Sequence, residues 1–392
     1  MNRKILSKVI CLLAIVISFF CTSFNVFGKK IDDLPGEVTA ERGDDELGLA
    51  EDSPYAILLE CSTGKIIYEK NAFSTHPPAS MTKIMTMLLI MEAIEAGKLK
   101  WDTELAASKN AVGMGGTQIY LEVGEKMTVE ELFKAVAIAS ANDAAVVFAE
   151  AIGGTVEKFV EMMNQKGKDL GFQNTHFKNP NGLPEESHYS CAYDIGILSC
   201  YLINHYGDTV LKYTSIYEDY LRKGTEDEFW LVNTNKLIKL YPEIDGLKTG
   251  YCSDSMYCLS ATMRKENIRF VSVVMGAKTI EERNSDTLRM LNYGTANYEV
   301  ETVYQKGHVI ESVNDITVVP HNYDVIVKEN INIIKKKGEV LDYQTVIEPD
   351  KIKVYLDNEL LYQSDLVTSC EVKKANVFLI IYEVLKRIFI KV

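Results

Sequence analysis

The 392 residues, 47% of them hydrophobic and 25% charged, exceed one small core and suit a large folded domain plus a smaller one. That apolar share excludes a disordered chain. The formal charge of −13 excludes the basic footprint that nucleic acid phosphates demand.

The chain opens with MNRKILSKVICLLAIVISFFCTSFNVFG: a basic start at Arg3, Lys4 and Lys8, an apolar run over 9–20, and Gly28 before Lys29. This is the plan of a secretory signal peptide over 1–28, and the run is short for an uncleaved anchor. The expected destination is outside the cytoplasm. Phe19 and Phe20 do not fit the small-residue cleavage that lipoprotein processing at Cys21 needs. Without the leader, 39 Lys and Arg face 55 Asp and Glu, a formal charge of −16.

Residues 29–53 are acidic and poor in aromatics, which predicts a flexible spacer with order from Tyr55. There YAILLE and KIIYEK flank Ser62-Thr63-Gly64 as two strands around a turn. Residues 81–96 are apolar on nearly every side and end at Gly97, a buried helix with Ser80 and Lys83 at its start. Thr128 and Glu131 have the spacing of a capping box before a second helix, which should break at Ser140-Ala141-Asn142-Asp143. From Asp245 two β-rich runs surround a polar turn at 264–267, and a helix follows over about 281–298.

Past Glu299 the short β-branched runs ITVV, DVIVK and KIKVYL predict a small all-β domain over 299–374. Residues 375–392 gather Phe378, Ile381, Leu385, Ile388, Phe389 and Val392 on one helical face, opposite Glu383, Lys386, Arg387 and Lys391. Such a basic amphipathic helix either lies in a membrane interface or packs on its own domain, and its dozen apolar side chains favour the membrane. Of eight cysteines, Cys61, Cys191, Cys200, Cys252, Cys258 and Cys370 follow the leader, and none forms a zinc-type C-x-x-C set. Cys252 and Cys258 could bridge a hairpin or stay free thiols.

Chemistry is concentrated in three short segments. Ser80-Met81-Thr82-Lys83 puts a hydroxyl and an amine three residues apart, on one face of a helix. A serine needs a base to become a nucleophile, and a desolvated lysine can be that base. Alone the pattern is common, and an N-cap serine beside a solvated lysine explains most occurrences. Ser140-Ala141-Asn142 at a helix break can relay a proton through its serine and hold a carbonyl or orient the lysine through its asparagine. Lys248-Thr249-Gly250 entering a strand can bind a carboxylate, and Gly250 leaves room for a peptide along the strand edge. Each of these two segments alone is an ordinary cap or turn.

Together, in the order S-x-x-K, S-x-N, K-T-G, the segments are specific. With them, PPASMTKIMTMLLIMEA, IASANDAA, NPNGLPEESHYSCAYDI and DGLKTGYC resemble the penicillin-recognising serine enzymes, within them the low-molecular-weight D-alanyl-D-alanine carboxypeptidases, over most of 54–298. The likeness is greatest to those of Gram-positive spore-forming bacteria. It implies an α+β fold, a β-lactamase/transpeptidase-like catalytic domain over 54–298 with an antiparallel sheet packed by helices. The β-rich domain and amphipathic tail match the same plan.

By that resemblance Ser80 attacks the carbonyl between two terminal D-alanines of a peptidoglycan stem peptide and releases the last one from an acyl-enzyme. Lys83 is then the base, Ser140 the proton relay, Asn142 a substrate contact, and Lys248 with Thr249 the clamp on the terminal carboxylate. The oxyanion is held by the N–H of Ser80 and one after Gly250, expected at Cys252. β-Lactams become covalent inhibitors, and no cofactor or metal is implied. A class A β-lactamase would need an E-x-x-L-N segment, absent between Ser140 and Lys248, whereas a transpeptidase stays open. A non-catalytic relative would show a damaged motif, and all three are intact. The six histidines include no H-E-x-x-H pair, which disfavours a metallopeptidase, and His188 is expected to be structural.

Overall fold

The computed structural model describes residues 47–389. The leader, the first part of the spacer, and Lys391 and Val392 of the terminal helix lie outside the described residues.

Two strands come first, β1 (Tyr55–Glu60) and β2 (Ile66–Lys70), then two short ladders, β3 (Glu104–Ala106) with β4 (Lys126–Thr128) and β5 (Glu218–Leu221) with β6 (Phe229–Val232). β7 (Ile244–Cys252), β8 (Met256–Lys265) and β9 (Ile268–Ala277) join β1 and β2 in one antiparallel sheet of order β2-β1-β9-β8-β7. β7 is therefore an edge strand, with one row of backbone groups unpaired within the sheet.

Helices cover both faces of this sheet, which is why β8 and β9 read as near-continuous apolar runs and not as alternating ones. On one face Met290 and Leu291 of the helix Ile280–Asn297 join Phe270, Leu259 and Val274 in the core. On the other the long helix Ala192–Thr214 lies so close to β1 that a Cβ on Gly196 would stand 2.7 Å from Leu59 Cδ1.

The helices that carry the polar motifs form as their sequences predict. We label them α1 (Lys83–Glu95), α2 (Val129–Lys134), α3 (Asn142–Gly153), α4 (Val156–Asp169), α5 (Ala192–Thr214) and α6 (Ile280–Asn297). A short 3₁₀ turn, Ala79–Thr82, leads into α1, and α1 is buried on nearly all sides. The capping box of Thr128 and Glu131 starts α2. A π-helical turn, Ala135–Ala139, follows and stops at Ser140, whose φ of 68° is left-handed and cannot continue the helix.

Nine further strands form the all-β region. These are β10 (Tyr298–Tyr304), β11 (Val309–Asn314), β12 (Val318–Val319), β13 (Asn322–Val327), β14 (Ile331–Lys336), β15 (Tyr343–Ile347), β16 (Lys351–Leu356), β17 (Glu359–Thr368) and β18 (Lys373–Lys374). The main sheet runs β11-β13-β17-β16-β15 over a small core of Val327, Ile331, Ile333, Ile352 and Val354. Asp357 and Asn358, both at positive φ, make the tight turn between β16 and β17. The α+β class is the expected one: a helix-packed antiparallel sheet followed by an all-β region.

Two expectations change. The acidic stretch taken as spacer up to Ser53 is packed at its end: Ala50 is fully buried and its carbonyl accepts from Lys70 Nζ at 2.7 Å. Arg289 of α6 donates to Leu49 O and pairs with Asp52, so Asp52 is held by a partner 237 residues away. The six cysteines are free thiols, so Cys252 and Cys258 do not bridge.

The last helix, α7 (Val377–Phe389), turns its polar side to the β-rich region through Glu383 beside His321 and Arg387 on Asn314. Its apolar side faces outward, with Phe378 82% and Tyr382 61% exposed. Among the described residues, no helix is long and apolar enough to cross a membrane.

Candidate active site

Ser80 stands at the mouth of a cleft between the start of α1, the corner at Ser140 and the edge strand β7. Its placement depends on two close approaches. Gly182, at φ +85°, presses against the preceding residue, where a Cβ would meet Ala79 O at 1.8 Å and Ser80 N at 2.9 Å. A Cβ on Gly250 would meet Pro78 O at 2.7 Å. Gly250 therefore makes room for the segment that carries Ser80, a different use from the substrate clearance expected of it. Ala79 itself sits at φ 45°, a strained value for a residue with a Cβ.

Lys83 is completely buried, and three acceptors surround its Nζ: Ser80 Oγ at 3.1 Å, Asn142 Oδ1 at 2.6 Å and Asn181 O at 2.7 Å. Burial first, then the charge of Lys248, push the Lys83 amine well below the usual lysine range, and Asp143 opposes them. A neutral amine can donate to Asn142 and Asn181 and still turn its lone pair to the Ser80 hydroxyl. That is the geometry of a base.

The motif asparagine is fully occupied in holding this lysine. Asn142 Oδ1 accepts from Lys83, Nδ2 donates to Gly115 O at 2.7 Å, and its backbone N–H to Thr117 O at 2.7 Å. Next to it, buried Asp143 accepts from the N–H groups of Ile119, Leu121 and Ala144 and so fixes the loop over 115–121. Ser140, also buried, occupies the left-handed corner between the π-helical turn and α3.

Lys248 and Thr249 lie on β7, and Lys248 is 1% exposed. The Lys248 ammonium has one long contact among the described residues, to Thr249 O at 3.4 Å. Burial and the guanidinium of Arg283 bring its pKa down to about 7. A buried cation so poorly bonded has donors left over that can receive an anion. Thr249 Oγ1 donates to Thr234 Oγ1 at 2.7 Å.

Cys252 does not take the place expected of it. Its N–H donates to Ser255 Oγ at 2.8 Å, inside the β7–β8 turn, and its thiol contacts the same hydroxyl. Backbone donors alternate sides along a strand, so with the Cys252 N–H turned into the β7–β8 turn, the N–H on the open edge beside Gly250 is that of Tyr251.

Several participants carry no motif of their own. Asn181 acts through its carbonyl, which any residue has. The segment over 178–188 is clamped on α1 by Thr86 Oγ1 donating to Pro180 O at 2.6 Å and by His188. His188 Nδ1 accepts from the Lys178 N–H at 3.1 Å, so Nε2–H donates to Thr82 Oγ1 at 2.9 Å. Burial lowers the His188 pKa to about 4, and this ring is a neutral structural brace. A cavity of 340 Å³ is lined by Ala79, Gly182 and Cys252, and one of 730 Å³ by the 176–185 segment; neither is lined by Ser80 or Lys248.

A serine paired with a buried, neutral-leaning lysine, facing an anion receptor on a sheet edge, defines a serine enzyme of acyl transfer. The model of the S11 peptidase family, D-alanyl-D-alanine carboxypeptidase, matches residues 45–279. The chain is 44% identical over 344 residues to D-alanyl-D-alanine carboxypeptidase DacF of Bacillus subtilis, covering 83% of this chain and 87% of that one. Penicillin binding protein 5 of Haemophilus influenzae superposes with a TM-score of 0.69 at 26% identity, over 82% of this chain and 98% of that one. Penicillin-binding protein D2 of Listeria monocytogenes, solved in an ampicillin-bound form, gives 0.56 at 30% identity, over 62% and 98%. The chain belongs to the D-alanyl-D-alanine carboxypeptidase family and is a serine-type carboxypeptidase of the cell wall.

The clamp at Gly182 leads to an expected outcome. Gly182→Ala should displace Ala79 and Ser80 and lower kcat/KM for D-alanine release by about 100-fold, the usual effect of ångström-scale misplacement. Far-ultraviolet circular dichroism should stay unchanged; full activity in this variant would show that Gly182 does not position the serine.

Proposed function

We propose that Ser80 is the nucleophile of this carboxypeptidase, Lys83 its base, Ser140 the proton relay, and Lys248 with Thr249 the receptor for the terminal carboxylate. The observation that carries the assignment is the fully buried Lys83 Nζ, 3.1 Å from Ser80 Oγ. The stem peptide lies extended along the open edge of β7. Lys83 takes the Ser80 proton as Oγ bonds to the carbonyl carbon, and the N–H groups of Ser80 and Tyr251 receive the oxyanion. When the C–N bond breaks, the proton passes from Lys83 through Ser140 to the leaving nitrogen, and D-alanine departs. Water, losing a proton to Lys83, then attacks the ester carbonyl, and as the C–O bond breaks Lys83 returns that proton to Ser80 Oγ and frees the enzyme. Asn142 orients Lys83 throughout.

β-Lactams would acylate Ser80 by the same attack on the lactam carbonyl, a reading supported by the ampicillin- and cefotaxime-bound forms of the Listeria relative. The exported chain would work at the outer face of the cytoplasmic membrane, its catalytic domain over 54–298 held above the lipid by the β-rich domain over 299–374. The outward apolar side of α7, with Lys386 and Arg387 near its end, supports an interfacial seat.

Three measurements test this. The chain should release D-alanine from a peptide ending in D-Ala-D-Ala, and Ser80→Ala should release none; release by the variant would remove Ser80 from the mechanism. Because Lys248 must carry a proton to receive a carboxylate, kcat/KM should fall as pH rises through about 7. At saturation the bound carboxylate raises that pKa, so kcat should hold to higher pH, and matching profiles would exclude Lys248 as the receptor. Removing the residues after Ala375 should abolish sedimentation with anionic lipid vesicles and leave D-alanine release intact; undiminished sedimentation would refute the interfacial helix.

A further inference from the structure

Between β6 and the short helix Leu237–Leu240 runs Asn233-Thr234-Asn235, a segment that the catalytic motifs do not include. Both asparagines are 1% exposed and use their amides on backbone. Asn233 Nδ2 donates to Thr214 O and Ile216 O, both at 2.9 Å, and Oδ1 accepts from Asn235 N at 2.8 Å. Asn235 Oδ1 accepts from Leu237 N at 3.1 Å, and its Nδ2 donates to Gly246 O at 3.4 Å, on the strand that bears Lys248. The N–H of Thr234 donates to Ile138 O at 3.3 Å, two residues before Ser140. Thr234 is thus pinned from both sides between the Ser140 corner and β7.

That much backbone fixation serves a side chain whose hydroxyl accepts from Thr249 Oγ1 at 2.7 Å. In this arrangement Thr249 gives its proton to Thr234, so its part in receiving the carboxylate runs through the Thr234 hydroxyl. The Thr234 proton, by contrast, goes to no protein acceptor among the described residues, and Thr234 is only half-buried. Preceding Thr249 on β7 is Lys248, whose buried ammonium has its single long contact on the Thr249 carbonyl. A free O–H and an under-bonded ammonium flanking one threonine complement an anion with two oxygens.

We infer that Thr234 is a specificity-determining residue of the cleft, its hydroxyl donating to the terminal carboxylate of the peptide at the end of a Thr249-to-Thr234-to-carboxylate chain. Donors in series polarise one another, so the last hydrogen bond to the anion is strengthened. The inference rests on the carboxylate reading given above and adds a residue to it.

The experiment uses the purified full chain and two acylated peptides, one ending in D-Ala-D-Ala and one in D-Ala-D-alaninamide, with kcat and KM measured for each. Thr234→Val keeps the shape and removes the hydroxyl. It should lower kcat/KM for the free acid by about 10- to 100-fold, mainly through KM, as loss of a hydrogen bond to a charged group does. The amide should change by less than about 3-fold, having no full charge to lose. Thr234→Ser should recover the free-acid value. Equal losses on both peptides would make Thr234 a structural residue and overturn the inference, as would no loss on either. If the unmodified chain releases neither D-alanine nor D-alaninamide, the carboxypeptidase reading itself falls and takes the inference with it.

Discussion

The structure depends on one interaction above the others, the enclosure of an amine in a place without water. A lysine at the centre of a domain would ordinarily cost several kcal/mol as a cation. Here three oxygens, from Ser80, Asn142 and Asn181, surround its nitrogen. The three come from the 3₁₀ turn, from the start of α3 and from the 178–188 segment, so the lysine ties together the separate pieces of chain that form the cleft. The helix break at Ser140, the loop held by Asp143 and the clamp on Thr82 and Thr86 all support those acceptors.

The same cleft collects backbone strain. Ala79 and Ser140 both lie at positive φ, the first immediately before Ser80 and the second two residues before Asn142. Neither conformation would persist unless its surroundings over-determined it. At Ala79 the surroundings are Gly182 on one side and Gly250 on the other, each too close to admit a Cβ. Chemistry at Ser80 is in this sense prepared by three residues with little or no side chain.

What could be read beforehand followed sequence distance. S-x-x-K is a relation of three residues along one helical turn, and the capping box of Thr128 and Glu131 is another, so both were legible from spacing alone. The buried character of α1 followed from an apolar pattern with no polar face. Asn181 was hidden because it acts through a carbonyl, and Thr234 because its partner Thr249 lies 15 residues on, across a turn and a short helix. Cys252 was misplaced by one residue, which in a strand reverses the direction of an N–H. The end of the spacer looked solvated because Asp52 is acidic, and its partner Arg289 is far away in sequence.

Burial and the charge of Lys248 press the Lys83 amine toward its neutral form, and Asp143 opposes them. A lineage selected for robustness alone would erase one of these buried lysines and gain a sturdier protein with no chemistry. Improvement in durability is therefore diverted to parts remote from the cleft, such as the capping box at Thr279 and Glu282 or the Arg269–Asp245 ion pair. The enclosure of two lysines in one cleft sets where this protein is free to evolve.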